Sequence, residues 1–350
     1  MNGTMSLLRR ADTRGRKFLN PIPTRVGGLS TVLKVLPLYL KNRAQRFPAV
    51  APGPFATDAR VYDAPSVSGL RVTWFGHSSM LLEIDGTRVL IDPVWEERAS
   101  PVQWSGPKRF FAPTLPLADL PPIDVVLVSH DHYDHLGEAT VRGLSSQGNL
   151  RDALWVTSLR VGAHLRRFGV EGSKIVELNW TETFVSSNRG RQLTVTSLPA
   201  RHFSGRSLTR RDETLWASFA LQGERHSVYY GADSGDWPGF AEIGESFRSF
   251  DLIMLEIGAF NALWRDIHLG PEGASNAFAA MKAGGLLMPI HWGLFDLALH
   301  SWTEPIEHLR TLADRRSIPL WSPEPGLPTD VVKGVELRSD WWMQRDGLGV

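Results

Sequence analysis

A mixed α/β sandwich is the fold class that this 350-residue sequence predicts, and three observations predict it. Ten short runs are apolar or alternate apolar with polar residues, the pattern of strands. Four longer stretches repeat their apolar residues at helical spacing and lie among those runs. Turn signals punctuate them, with Asp85-Gly86 marking a tight hairpin.

Arg71–Phe75, Met80–Ile84 and Arg88–Ile91 form the first strand group, the last two joined through Asp85-Gly86. Val125–Val128 is continuously apolar, as a strand buried on both faces must be. Helices over 138–145 and 159–168 follow, then a strand at Lys174–Glu177. Leu193–Ser197, Ala217–Leu221, Ser227–Tyr230 and Leu252–Leu255 continue the strand series. The third helix, 271–282, has Pro271 in its first turn and Gly284-Gly285 past its end. Proline's fixed φ favours a helix start, and glycine's free φ favours a stop. Leu286–Ile290 is the last strand and 304–315 the last helix.

Composition narrows the class. Hydrophobic residues at 42% with 21% charged can build a core and exclude wholesale disorder. No apolar run is long enough for a membrane-spanning helix. The absence of cysteine excludes disulfides, thiolate metal ligands and a thiol nucleophile. Thirteen tryptophans suit cores, lipid interfaces and base stacking alike. The 38 basic and 37 acidic side chains cancel to +1, but unevenly. Residues 1–50 carry ten basic side chains against Asp12 alone, a net of +9, which leaves −8 for the rest. Pro21, Pro23, Gly27 and Gly28 break regular structure there, so residues 1–60 read as a basic N-terminal extension and 61–350 as one large domain. The apolar stretch Val32–Leu40 is too short to span a bilayer and lacks a small-residue cleavage site, so a cytoplasmic location is expected. An anionic partner suits the arm, with a solvated tail as its other reading.

The chemistry concentrates in Ser129-His130-Asp131-His132-Tyr133-Asp134-His135, directly after Val125–Val128. His130, His132, Asp134 and His135 can converge on metal from one loop, and imidazole with carboxylate suits zinc and similar divalent ions. His202, Asp233 and His291 each come where a strand emerges, the usual place for a site in α/β architectures. His268 precedes the third helix. Singly, such residues are more often structural; together they supply ligands for a second ion.

His-x-His-x-Asp-His followed by a distant His, Asp and His resembles the metallo-β-lactamase fold in its binuclear hydrolase form, a four-layer αββα sandwich. Within it, the sequence resembles N-acyl-phosphatidylethanolamine-hydrolysing phospholipase D more closely than it does the superfamily in general. The stretches that carry this are Thr73-Trp74-Phe75-Gly76-His77, Ile91-Asp92-Pro93, Gly106-Pro107-Lys108-Arg109-Phe110, Phe250-Asp251-Leu252, Ile257-Gly258-Ala259 and Ile290-His291-Trp292-Gly293. The resemblance implies that His130, His132 and His202 hold one metal, Asp134, His135 and His291 the other, and Asp233 both. It makes His77 and Asp92 residues that orient ligands, and His268 a contact to the substrate phosphate. Lys108, Arg109 and Arg206 become candidate partners of phosphate or an anionic head group. Two divalent ions are implied, zinc fitting best, with iron or manganese as alternatives, and a homodimer is suggested.

On that reading Asp134, Asp233 and His268 serve catalysis. A metal-bridging hydroxide would attack phosphorus of an N-acyl-phosphatidylethanolamine or related phospholipid, giving an N-acylethanolamine and phosphatidic acid. The same ligands would serve a lactonase or carboxylic ester hydrolase acting on a small phosphorylated or acylated metabolite. Nucleic acid is not expected, since the body is acidic and no basic stripe borders the motif in sequence. A non-catalytic lipid- or partner-binding protein with structural metals is the remaining alternative, against which the seven intact ligand positions stand. If the substrate is a phospholipid, residues 1–50 would hold the enzyme peripherally on an anionic membrane.

Overall fold

In the computed structural model, which describes residues 6–27, 37–38, 46–150, 152–188, 190–206, 210–247, 249–335, 337 and 339–343, the strands gather into two large sheets. A two-stranded ribbon, β1 (Thr13–Arg14) and β2 (Lys17–Phe18), precedes them. The first sheet holds β3 (Leu70–Gly76), β4 (Ser79–Ile84), β5 (Thr87–Ile91), β6 (Val125–Val128), β7 (Leu154–Ser158) and β8 (Ile175–Leu178) in sequence order. Between them come α1 (Glu138–Ser146) and α2 (Gly162–Arg167). The second sheet holds β9 (Thr183–Asn188), β10 (Arg191–Leu198), β11 (Ser218–Gln222) and β12 (Ser227–Tyr230) as an antiparallel series. After α3 (Gly239–Phe247) comes β13 (Leu252–Glu256), and after α4 (Gly270–Met281) comes β14 (Leu286–Ile290), both parallel to β12. The helix α5 (Glu304–Arg316) leads to β15 (Thr329–Asp330), which closes the free edge of β3.

Period-two alternation sorts the side chains into two cores. Along the first sheet, Val72, Leu82, Val89, Ile91 and Leu127 point at the second sheet and meet Leu193, Val195, Phe219 and Leu221 there. Their neighbours Leu81, Leu90, Val126 and Val128 point outward onto Val141 and Leu144 of α1 and Leu165 of α2. A strand covered on both faces has no room for a polar side, which is why Val125–Val128 is uniformly apolar. Helices α3, α4 and α5 cover the outer face of the second sheet through Ile243, Ala277 and Ile306. The layers are helix, sheet, sheet, helix, as expected.

All ten predicted strands form, with ends shifted by a residue or so, and so do the four predicted helices. The second helix starts at Gly162 rather than 159, because Arg160 takes a φ of 68° in the turn that precedes it. Sequence reading missed β7, whose Trp155-Val156 core is only two residues long, and β9, which is largely polar. It also missed α3, where Gly239 and Gly244 depress helix propensity while Phe240 and Ile243 supply the buried face.

Where it is described, the N-terminal segment departs from a solvated tail, one of its two readings. Residues 6–27 lie across the body: Phe18 is buried and its N–H donates to the Asp212 carbonyl at 2.8 Å. The Ala11 N–H donates to Asn179, and the Arg201 guanidinium grips Thr24 Oγ1 and the Pro23 carbonyl. Arg9, Arg10, Arg16 and Arg46 pair with Asp12, Glu182, Glu213 and Asp296, so much of the arm's charge is spent internally. The Val32–Leu40 stretch falls outside the described residues apart from Pro37 and Leu38. No helix among the described residues is long and apolar enough to cross a membrane.

Candidate metal centre

Strands β3, β5 and β6 run one way in the first sheet, as β10, β12 and β14 do in the second. Their C-terminal ends therefore deliver His77, Asp92, the 130–135 loop, His202, Asp233 and His291 to one end of the sandwich. The backbone is strained where it delivers them. His77, Asp92 and His291 hold φ values of 54°, 38° and 63°, a region that costs side-chain-bearing residues about 1–3 kcal/mol each and recurs at functional sites. Main-chain bonds hold two of them there: the His291 N–H and the Trp74 indole both donate to the His77 carbonyl at 2.9 Å. A Cβ on Gly258 would collide with the His291 carbonyl, so the exit from β13 can pass there only as glycine.

Two buried groups of ligand atoms result. In one, His130 Nε2 lies 2.9 Å and His202 Nε2 3.3 Å from His132 Nδ1, with Asp233 Oδ2 at 3.7 Å from His130 and 3.6 Å from His202. In the other, Asp134 Oδ2 lies 2.9 Å from His77 Nε2, 3.2 Å from His291 Nε2 and 3.7 Å from His135 Nε2. Asp233 joins them, its Oδ1 standing 3.2 Å from His135 Nε2 and its Oδ2 3.1 Å from His291 Nε2. Ligands about 2.1 Å from a tetrahedral ion stand roughly 3.4 Å apart, so these spacings fit a metal.

The outer nitrogens make the same point. His202 Nδ1 lies 2.8 Å from the Ile267 carbonyl and His135 Nδ1 2.7 Å from Asp92, which protonates the outer positions and aims both Nε2 atoms inward. His135 Nε2 and Asp233 Oδ1 are buried and make no hydrogen bond among the described residues. Such orphans are costly unless a cation satisfies them. Burial holds His130, His132 and His202 below the usual imidazole range, so they are neutral and ready to ligate. Burial also opposes charge on His135 and His291, but Asp233 and Asp134 outweigh it; His135 rises well above its ordinary value and His291 to about 10. Protons on those two rings balance carboxylates that a metal cation would otherwise balance.

The surrounding residues separate into those the fold brings in and those it does not. Asp92 is fully buried; it accepts from the Ser129 N–H and hydroxyl and from Tyr230, while holding His135. His77 sits closer than an orienting role required, its ring tilted against that of His291 with centroids 4.0 Å apart. His268 stands at the mouth, its ring centroid 5.1 Å from that of His202 and 5.3 Å from that of His291. Arg109 is half-buried over the ring of Phe295, which in turn edges His77. Its Nη2 donates to the Val94 carbonyl, whereas Nε and Nη1 find no partner among the described residues, and burial lowers its pKa to about 10. Lys108 is not brought in: it is exposed and pairs with Glu97 at 2.8 Å. Arg206 serves the loop rather than its mouth, stacking on Tyr133 and donating to the Asp131 and Leu136 carbonyls.

Two residues escaped the sequence reading. Glu256, fully buried, lies 2.6 Å from His268 Nδ1 and accepts from the Ser234 N–H. A carboxylate ending the apolar run Leu252–Leu255 was the available signal. Asn20 of the N-terminal strap brackets the main chain of His202, donating to its carbonyl at 2.7 Å and accepting from its N–H at 2.9 Å. Nothing in the local sequence marks a contact across that separation.

Residues 87–292 match the family model of the beta-lactamase superfamily domain. An uncharacterised protein of Mycobacterium tuberculosis is 45% identical over 89% of this chain and 80% of its own length. N-acyl-phosphatidylethanolamine-hydrolyzing phospholipase D 1 of Caenorhabditis elegans is 35% identical over 73% of this chain and 72% of its own. Among solved structures, Igni18, a metallo hydrolase from the archaeon Ignicoccus hospitalis, superposes with a TM-score of 0.55 over 74% of this chain and 97% of that one, at 21% identity. With the sandwich, the strand-end ligands and these matches in agreement, the chain belongs to the beta-lactamase superfamily of metal-dependent hydrolases, with N-acyl-phosphatidylethanolamine-hydrolysing phospholipases D among its relatives.

Proposed function

We propose that the protein is a two-metal phosphodiesterase of phospholipase D type, acting on N-acyl-phosphatidylethanolamine or a related phospholipid. The observation that carries this reading is Asp233, whose two oxygens face the two ligand groups from between them. Five neutral imidazoles and two carboxylates leave a net +2 on a pair of divalent ions, which suits an anionic phosphodiester better than a neutral ester. Bound zinc, the best match to this N/O donor set, would supply a nucleophilic water near neutral pH and charge to offset that of the transition state.

The chain's own groups do the rest. His130, His132 and His202, held neutral by burial, keep their lone pairs available. Glu256 anchors His268 through Nδ1, which leaves Nε2 for the phosphate or the leaving oxygen. His268 can pass a proton from Nε2 to the departing ethanolamine oxygen as the P–O bond breaks and water's hydroxyl joins phosphorus, while the water's second proton leaves to solvent and restores the one His268 gave up. The products are then an N-acylethanolamine and phosphatidic acid. Arg109, a half-buried cation whose Nε and Nη1 have no partner among the described residues, is the residue to hold a phosphate oxygen near this mouth.

Incubating zinc-loaded protein with N-acyl-phosphatidylethanolamine vesicles, bis-aryl phosphodiesters and lactones tests the assignment. Phosphatidic acid release supports it. Lactone turnover with neither phosphodiester cleaved would assign the site to carboxylic esters instead.

A further inference from the structure

No basic stripe borders the metal-binding motif in the sequence, yet folding builds one. A groove of about 1070 Å³ opens beside the 130–135 loop, with Asp131 and Tyr133 in its wall. Seven arginines from five separated stretches of chain line it, against four carboxylates. Excluding the first fifty residues, the chain is net negative, so this concentration is local.

Four carboxylates do not cancel seven arginines, although Glu213 stands 3.7 Å from Arg16. Glu138 is shared by Arg142 at 2.9 Å and Arg167 at 3.5 Å. Arg98, Arg160 and Arg206 are held instead by main-chain carbonyls, those of Gln103 and Gly106, of Arg16 and Glu213, and of Asp131 and Leu136. A carbonyl satisfies an N–H donor but leaves the net charge standing. A second feature is exposed one residue along the chain from the lining. Trp104, next to the lining residue Gln103, is 83% exposed, while the other twelve tryptophans are buried or half-buried. An indole facing water beside basic residues is the side chain that settles at the head-group level of a bilayer.

We infer that this face docks the enzyme on an anionic phospholipid surface, with its exposed arginines, Arg142 and Arg167 among them, on phosphates and Trp104 among the head groups. The inference rests on the phospholipid reading above. It places the membrane contact beside the metal loop, where Arg16 of the N-terminal strap joins it, rather than on residues 1–50 as a whole, of which Arg9, Arg10 and Arg46 are already paired. A single exposed aromatic amid interspersed carboxylates does not suit single-stranded nucleic acid, which needs successive stacking platforms.

Co-sedimentation of the full chain with phosphatidylcholine vesicles, with and without phosphatidylglycerol, tests this. Wild-type protein should pellet only with the anionic vesicles, and less so as salt rises. Replacing Arg142→Gln and Arg167→Gln together should weaken binding about fivefold per charge removed. Trp104→Ala should weaken it further, while Arg315→Gln on α5 should leave it unchanged. Wild-type binding by both the double arginine variant and the tryptophan variant would overturn the proposal, as would a single-stranded oligonucleotide binding tighter than the vesicles. Unfolding midpoints check that each variant folds; should Trp104→Ala fail, the arginine pair on the exposed faces of α1 and α2 still decides. Turnover of a soluble bis-aryl phosphodiester reports the phosphodiesterase reading separately, so failure of one is distinguishable from failure of the other.

Discussion

Replacing Asn20→Ala should loosen His202, a proposed metal ligand, from a position 182 residues away in sequence. The Asn20 amide closes a two-point bracket on His202, giving one hydrogen bond to its carbonyl at 2.7 Å and taking one from its N–H at 2.9 Å. His202 is fully buried, so neither main-chain group gains easy access to water when the bracket goes. Each unsatisfied group costs about 1–3 kcal/mol, and partial hydration of the two together leaves an expected loss of about 2–4 kcal/mol. Part of that loss falls on the metal, because His202 Nε2 is aimed by its main chain and by the Nδ1 contact with Ile267. Partners of this kind typically change metal affinity or activity by about 10–100-fold. Zinc titration against a competing chelator, alongside urea unfolding, measures both effects. Asn20→Asp keeps the acceptor but sets an oxygen against the His202 carbonyl, so it should rescue neither. Deleting residues 1–50 should impair soluble-diester turnover for the same reason. Wild-type zinc affinity together with a stability change below about 0.5 kcal/mol in Asn20→Ala would refute the bracket's role.

Three further outcomes follow from the geometry. Asp233→Asn should abolish turnover and lower bound zinc, measured by elemental analysis, since its two oxygens face both ligand groups; undiminished metal content would show that Asp233 joins nothing. Glu256→Gln preserves the acceptor for the Ser234 N–H but presents a donor to His268 Nδ1, and should lower kcat by about 10–100-fold with little change in zinc content. Equal kcat values would remove Glu256 from the positioning of His268. Arg71→Ala breaks a buried pair with Glu83 at 3.0 Å and the tie to Asp330 at 3.1 Å on β15. Arg88 still reaches Glu83 at 3.1 Å, so the expected destabilisation in urea is about 3 kcal/mol rather than the upper end for a lone buried charge.

Legibility in the sequence tracked how local each cause was. Val125–Val128 was readable because burial on both faces demands apolar residues at every position, a requirement written into four consecutive letters. The 130–135 loop was readable because one turn of chain supplies four ligand atoms. By contrast, β9 is polar and acquires its strand geometry from pairing with β10, Thr183 opposite Thr196 through Asn188 opposite Arg191. Lys108 and Arg109 are neighbours and looked equivalent. The bridge between Arg109 and Phe295 buries one side chain beside the centre, while its neighbour remains outside with Glu97.

What the sequence by itself determined was the chemistry on offer: a cysteine-free set of imidazoles and carboxylates, delivered at the ends of apolar strands in a layered sandwich. Ligand types and strand periods are properties of short segments, so they survive without coordinates. Tertiary structure decided how those groups face one another. Only the parallel run of strand ends sets Asp233 between two ligand groups, bends Glu256 onto His268 and lays Asn20 across His202. It also turned an N-terminal arm of net +9 into a partly neutralised strap, and gathered scattered arginines into a groove beside the metal loop. Charge and hydrogen bonding act through space over a few ångströms, and it is the fold that sets which distant residues come that close.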